Sequence, residues 1–498
     1  MNRHVLGQLT WALMRMCVAV TIVAVLLAPA SPASAARPDV RQTLLRYARD
    51  TWASFVAMTD PDSGLPADRL GIDGSRSVQT STTNIGAYMW STVVAEKLGI
   101  ISHQEAVNRL SRTLSTLERM ERYWPGGQYY NWYDHRTGEK LTVWPDTGEP
   151  LTPVLSSVDN GWLATGLHVV SNTVPEVASR ARAIYDSMDF GFYYRPEVNR
   201  IAFYYAPSTG ESPCCYDTIV SESRIASYIG IAKGEIPQKE YFGAWRTFPD
   251  SCDWSWQETR PVGFYRTYYG VRVFEGAYEY AGMRIVPSWG GSMFEALMPA
   301  LFVPEERWGT HSWRINHPLT VRAQIYHGLH EAQYGYWGFS PANKPEGGYM
   351  AYGVDGIGMD PGGYPSNNDY TLIDHGFPGC PGREPQPDPP PSAYTNGVVT
   401  PHAVFLALRW APEEAMQNLA NLERDFDIYT RWGFRDSVNV DTGVVSPYYL
   451  SLDQGMIMAA IGNALGHDML RKAFATTEFK QRVKPVIAVE TFNASPRP

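Results

Sequence analysis

The sequence predicts an all-α chain in which helices pair, inner against outer, around a toroid. Three observations predict it. About a dozen segments repeat apolar residues at helical spacing; no linker divides them into separate domains; and the stretches between them are rich in Gly and aromatic residues, as ordered loops that carry function at one end of a ring would be.

The first helix is expected over Val40–Met58, where Leu44, Leu45, Tyr47, Ala48, Trp52, Phe55 and Val56 share a face before the run from Asp60 to Gly64 breaks the pattern. The same periodicity places helices over 83–98, 102–122, 157–170, 174–188, 217–233, 292–302, 318–334, 400–410, 412–425, 453–465 and 468–474. Aromatic alternation at 191–195 and 201–206, around Asn199, reads as a small β-hairpin. Residues 340–397 lack periodicity and are crowded with Gly and Pro, including Pro385 to Pro391. Their Tyr349, Tyr352, Tyr364, Tyr370 and Cys380 indicate an ordered loop system over a cleft, because disordered linkers are poor in aromatics.

Composition narrows the function. The 498 residues carry 42 Lys and Arg against 51 Asp and Glu, a net charge of -9, so nothing neutralises a phosphate backbone and a nucleic-acid partner is excluded. The 30 Tyr, 16 Trp and 18 Phe exceed what a core needs and suit stacking on sugars. Arg3 and Arg15, an apolar run from Met16 to Leu27 and Ala33-Ser34-Ala35 read as a signal peptide over 1–35. The remaining 36–498 are expected to form a single domain, secreted or in the cell envelope, with no stable membrane association. Outside that leader stand Cys214, Cys215, Cys252 and Cys380, an even number with three possible pairings. A bridge between adjacent cysteines would be strained, which favours Cys214 and Cys215 each bonding to Cys252 or Cys380. His327, His330 and Glu331 lack a matching partner motif, so neither metal nor cofactor is expected.

Acids near the starts of inner helices are the candidate chemistry. Glu222 shares the stripe of Ile219, Ala226 and Ile229, where a carboxylate is costly unless used or paired; its alternative is a structural ion pair. Glu295 follows Trp289-Gly290-Gly291 but also completes a capping box with Ser292. Asp159 has the same alternative with Ser156, and Asp453 could itself cap the helix through Ile461. The run Tyr123 to Asp134, with Asn131, Trp132 and Tyr133, is too polar and Gly-broken for a core helix and suits a sugar cleft, unless it is simply buried beneath its neighbours. G-x-S-x-G, P-loop, H-E-x-x-H and dinucleotide motifs are absent from the sequence.

Several segments in order resemble the bacterial glucoamylase-like family, which includes endo-β-1,2-glucanases and the transglycosylating domain of cyclic β-1,2-glucan synthases. They are Thr80 to Gly86, Tyr130 to Asp134, Ser157 to Gly161, Ser221-Glu222-Ser223-Arg224 with Ala232-Lys233-Gly234, Ser288 to Pro299, and Asp453-Gln454-Gly455. The resemblance implies an (α/α)6 toroid and a glycoside hydrolase, first guess an endo-acting β-1,2-glucanase, whose partner is an oligo- or polysaccharide. It further implies Glu222 as general acid, Glu295 as nucleophile in synthase-like members and Asp453 as the acid of the glucanases. The cleft residues would be Asp159, Asn131, Trp132, Tyr133, Trp289 and Arg224. Cys214-Cys215 and the Pro385 to Pro391 insertion depart from the family pattern. The rivals are a non-catalytic carbohydrate-binding protein, a transglycosylase or other-linkage glycosidase on the same fold, and a lyase using Tyr or His bases.

Overall fold

The computed structural model describes residues 39–496 apart from 125, 253–258, 360–375, 388 and 395–396, and residues from Val40 onward form one compact unit. The expected signal peptide, Tyr364 and Tyr370 lie outside the described residues. The helices are α1 (Val40–Met58), α2 (Thr82–Lys97), α3 (His103–Arg119), α4 (Ser157–Thr173), α5 (Pro175–Ser187), α6 (Arg224–Lys233), α7 (Met293–Leu297), α8 (Glu305–Trp308), α9 (Trp313–Tyr326), α10 (Pro401–Leu406), α11 (Pro412–Asp425), α12 (Ser451–Leu465), α13 (Met469–Phe474) and α14 (Thr477–Val489). No described helix is long and apolar enough to cross a membrane.

Composition separates two rings of helices. α2 is buried continuously from Thr82 to Ala95, and α4 and α12 are buried nearly throughout, so they carry small residues on every side instead of an apolar stripe. α3 and α11 bury one face only: Ala106, Leu110, Thr113, Leu114 and Leu117 in the first, Ala415, Asn418, Leu419 and Leu422 in the second. The buried set forms the inner ring. α2 packs on α4 and α12, α4 on α6, α12 on α10, and α10 on α7; Arg224 closes the gap between α6 and α7 by donating to the Glu295 and Ala296 carbonyls. Outside lie α1 against α12, α3 against α2, α5 against α4, α14 against α6, α9 against α7, and α11 against α10. This is the (α/α)6 toroid. Helices α2 and α4 touch backbone to backbone: a Cβ on Gly86 would sit 2.3 Å from the Trp162 carbonyl oxygen, and one on Gly166 would sit 2.8 Å from the Gly86 Cα.

Short strands feed most inner helices and tie the loops of that end together. Gln79–Ser81, ahead of α2, pairs with Trp132–Asp134; Leu155–Ser156, ahead of α4, pairs with Tyr204–Tyr205; and Tyr448–Leu450, ahead of α12, pairs with Arg69–Gly71. The hairpin expected at 191–206 exists in reduced form, Tyr194–Arg195 against Arg200–Ile201.

Three expectations change. A three-stranded antiparallel sheet, β1 (Val262–Tyr268), β2 (Val271–Tyr280) and β3 (Met283–Ile285), occupies a region the helical periodicity left blank. Its first turn is Tyr269-Gly270, both at positive φ, a two-residue hairpin signal readable in sequence. The helix expected from residue 217 begins only at Arg224, and α14 was not anticipated. The cysteines pair as Cys214–Cys215 and Cys252–Cys380, against the expected crossing. Cys252 and Cys380 stand 5.6 Å apart at Cα, within disulfide reach, and so leave the adjacent pair to each other.

Candidate active site

Four of the acids singled out in sequence, and two that were not, lie where inner helices begin. At α7 and α4 a capping box is half made, and the carboxylate is thereby released. Ser292 Oγ accepts the Glu295 N–H at 3.3 Å, the first half of a capping box. The Glu295 side chain does not return to Ser292; it accepts the backbone N–H of Glu222 at 2.8 Å. Likewise Ser156 Oγ accepts from the Asp159 N–H at 3.3 Å, while the Asp159 carboxylate accepts from Thr83 Oγ1 on α2 at 2.6 Å. Asp453 is not the N-cap of α12, a place taken by Leu450, but lies inside its first turn.

Glu222 precedes α6 rather than riding on its face, as the helical stripe had suggested. That placement frees its N–H for Glu295. Its carboxylate accepts from the Trp162 indole N–H. Glu222 and Glu295 both line a cavity of ≈ 240 Å³ with Phe203, Tyr216, Trp289, Gly290, Ser292, Pro341, Ala351 and Tyr352. Phe203, Tyr216 and Trp289 meet edge to face, with ring centroids 4.7–6.0 Å apart, giving the pocket an aromatic wall.

The two acids are held at different affinities for a proton. Burial, then the charge of Glu295, drives the Glu222 carboxyl well above the ordinary range, and Asp159 adds to the effect. Burial also raises Glu295, but the Glu222 N–H, the Ser221 hydroxyl and Arg224 all favour its ionised form. One protonated carboxyl beside one carboxylate, in an aromatic-walled pocket, can donate a proton to a leaving oxygen and attack the carbon that oxygen leaves.

Further acids continue along the same end of the toroid. Asp159 acts on Glu222 and on Asp68; Asp68 acts on Asp436 and Asp453. Burial, then the charges of Asp453, Asp436, Glu222 and Glu295, drive the Tyr349 phenol well above its ordinary range. Asp68 and Asp436 escaped the sequence reading because they lie in irregular segments with no periodic pattern.

Two expected cleft residues are committed elsewhere. All five N–H groups of Arg224 are used within the protein, on Glu305, the Ser221, Glu295 and Ala296 carbonyls, leaving none for a sugar. Tyr133 is wholly buried, donating to the Glu121 carbonyl and accepting from the Tyr130 N–H. Trp132 remains partly open, edge-on to Trp144 at 5.3 Å. The Asn131 Oδ1 is buried without a partner among the described residues.

Sequence comparison agrees with this architecture. Residues 258–478 match the family described as "Putative glucoamylase", and residues 46–193 match a protein family of unknown function, DUF3131. The chain is 23% identical, over 87% of its length, to the cyclic β-(1,2)-glucan synthase NdvB of Rhizobium meliloti, covering 18% of that protein. It is 21% identical, over 81% of its length, to the exo β-1,2-glucooligosaccharide sophorohydrolase of Parabacteroides distasonis, covering 52% of it. The chain thus spans about half or less of the curated relatives it matches. The endo-β-1,2-glucanase of Chitinophaga pinensis superposes with a TM-score of 0.63 at 18% identity, over 90% of this chain and 98% of that one, which shows a shared fold.

Proposed function

We propose that this chain is a retaining glycoside hydrolase acting on β-1,2-linked glucan, with Glu222 as general acid and base and Glu295 as nucleophile. The observation that carries the reading is the Glu295 carboxylate held 2.8 Å from the Glu222 backbone nitrogen, with both side chains on one cavity. In the first step the Glu222 carboxyl gives its proton to the glycosidic oxygen as the bond from C1 to that oxygen breaks, and Glu295 bonds to C1. In the second, Glu222 takes a proton from water as the water oxygen bonds to C1 and Glu295 departs. Trp289, Tyr216 and Phe203 supply the apolar wall against which a sugar ring rests. The linkage follows from the relatives, which are named for β-1,2-glucan chemistry. The Cys252–Cys380 bridge supports an exported chain.

A second reading makes Asp453 the base of an inverting reaction, favoured by its action on the same Tyr349 phenol as Glu222. The anomer of the first-formed product, followed by NMR during hydrolysis of β-1,2-glucan, separates them. Retention is expected, and inversion transfers the second role from Glu295 to Asp453. Binding without product across β-1,2-, β-1,3- and α-linked glucans would mark a carbohydrate-binding protein instead, and ultraviolet-absorbing ends would mark a lyase.

A further inference from the structure

His402, Asp436 and Asp453 form a second constellation that the retaining mechanism does not use. His402 comes from the first turn of α10, Asp453 from the first turn of α12, and Asp436 from the segment between α11 and α12. One ligand atom from each lies within 4.8 Å of the others, and all three residues are at most 3% exposed. His402 Nδ1 is 3.5 Å from Asp453 Oδ2, too poorly aligned to hydrogen-bond. Among the described residues, both imidazole nitrogens, Asp436 Oδ1 and Asp453 Oδ2 lack a hydrogen-bond partner, while the Asp436 and Asp453 carboxyls act on each other.

Buried polar atoms almost always find partners, and each orphan costs about 1–3 kcal/mol. Here several orphans converge on one point, two of them carboxylate oxygens. The Arg435 Nη2 next door is engaged by the Asp427 carbonyl and carboxylate, and its Nε has no partner among the described residues. A proton shared between the two aspartates would satisfy them and leave the imidazole stranded. A metal ion takes a lone pair from all three.

We propose that His402, Asp436 and Asp453 bind a divalent metal ion of the zinc or manganese class. One imidazole and two carboxylates suit such ions, and three protein ligands leave coordination positions open. An ion there ties α10, the segment before α12 and α12 together as one wall of the cleft.

The test uses the full chain, stripped with EDTA, desalted, and titrated separately with Zn2+ and Mn2+ while bound metal is measured by mass spectrometry. A single equivalent is expected to survive desalting in the wild type and in Glu222→Gln. His402→Ala and Asp436→Asn are each expected to weaken binding by more than the about 10–100-fold that outer-shell changes cost. Titration of the wild type with Co2+, read as a visible absorption band displaced by Zn2+, keeps the test open if those variants do not fold. No retained ion and no cobalt band overturns the proposal, as does equal retention by His402→Ala. The readouts separate the two readings: turnover on β-1,2-glucan by a chain that retains no ion in any titration sinks only this one, and metal retention without turnover on any glucan sinks only the hydrolase.

Discussion

Replacing Glu222 with Gln separates catalysis from folding, because this carboxyl is expected to help one and burden the other. Gln keeps an oxygen for the Trp162 indole N–H and leaves the backbone N–H that Glu295 accepts. What it removes is the transferable proton. General acid–base catalysis contributes about 10²–10⁴-fold, equivalent to about 3–5 kcal/mol of barrier, so turnover on β-1,2-glucan falls by that factor while sugar affinity by calorimetry stays close to wild type. Stability moves the other way. Burial and the neighbouring Glu295 raise the Glu222 pKa in the folded chain, so the native state holds its proton more tightly than the unfolded one. The contribution of Glu222 to stability is therefore present below the ordinary glutamate value near 4.5 and lost as pH rises through the folded pKa. Each unit of displacement is worth about 1.4 kcal/mol. Calorimetric melting from pH 4 to 8 is expected to show Glu222→Gln gaining on wild type as pH rises, then levelling. Near-normal turnover would remove Glu222 as the acid. A melting advantage that shrinks with rising pH would show that its charged form is stabilised, contrary to the burial argument.

Glu295→Ala is expected to abolish hydrolysis, and added azide to restore cleavage with a glycosyl azide as product, detectable by mass spectrometry; no rescue would count against a nucleophile at that position. Burial pushes the Glu305 carboxyl up, but Arg224 and His317 outweigh it and hold it at about 2, so its stabilisation is present above the ordinary range and lost as pH falls toward that value. Arg224→Ala strands that charge and is expected to cost about 3–5 kcal/mol in urea unfolding, with the deficit narrowing in acid. Gly86→Ala drives a methyl into the Trp162 carbonyl across the α2–α4 contact and is expected to cost about 1–3 kcal/mol by the same measurement.

The helical ring was legible because burial leaves a periodic trace. The run of α1 ends at Met58 as its apolar spacing does, and α11 spans the predicted 412–425. The sheet Val262–Ile285 left a different trace, aromatic and β-branched runs around a Tyr-Gly turn, in a region read only for helices. Among the candidate acids, Glu222 and Glu295 share one cavity, but the helical stripe does not describe Glu222, whose segment is a turn. Arg224 and Tyr133 misled because a sequence shows donors without their acceptors, and the Glu305 and Glu121 that occupy them are distant or irregularly spaced. Asp68 required the closed ring itself, since it comes near Asp453 only when the end of the chain returns to its beginning, whereas Asp436 and His402 required the packing of α10 against α12.

The placement of these acids raises an energetic question with a determinate answer. A helix N-terminus favours a carboxylate by about 0.3–1 kcal/mol, and by about 2 in favourable, partly buried geometry, which alone would lower Asp159, Glu295 and Asp453 from their ordinary values. All three are instead raised, burial being the first cause in each. Desolvation therefore outweighs the helix termini, and the differences among the acids come from their individual partners. Glu295 has an N–H and a hydroxyl to steady its charge; Glu222 has one indole N–H and faces Glu295; Asp453 has Asp436 against it and an unpaired imidazole. The proposed roles of Glu222 as proton holder and Glu295 as nucleophile accord with that ordering, because the same buried ring end gives each acid a different means of offsetting the loss of water.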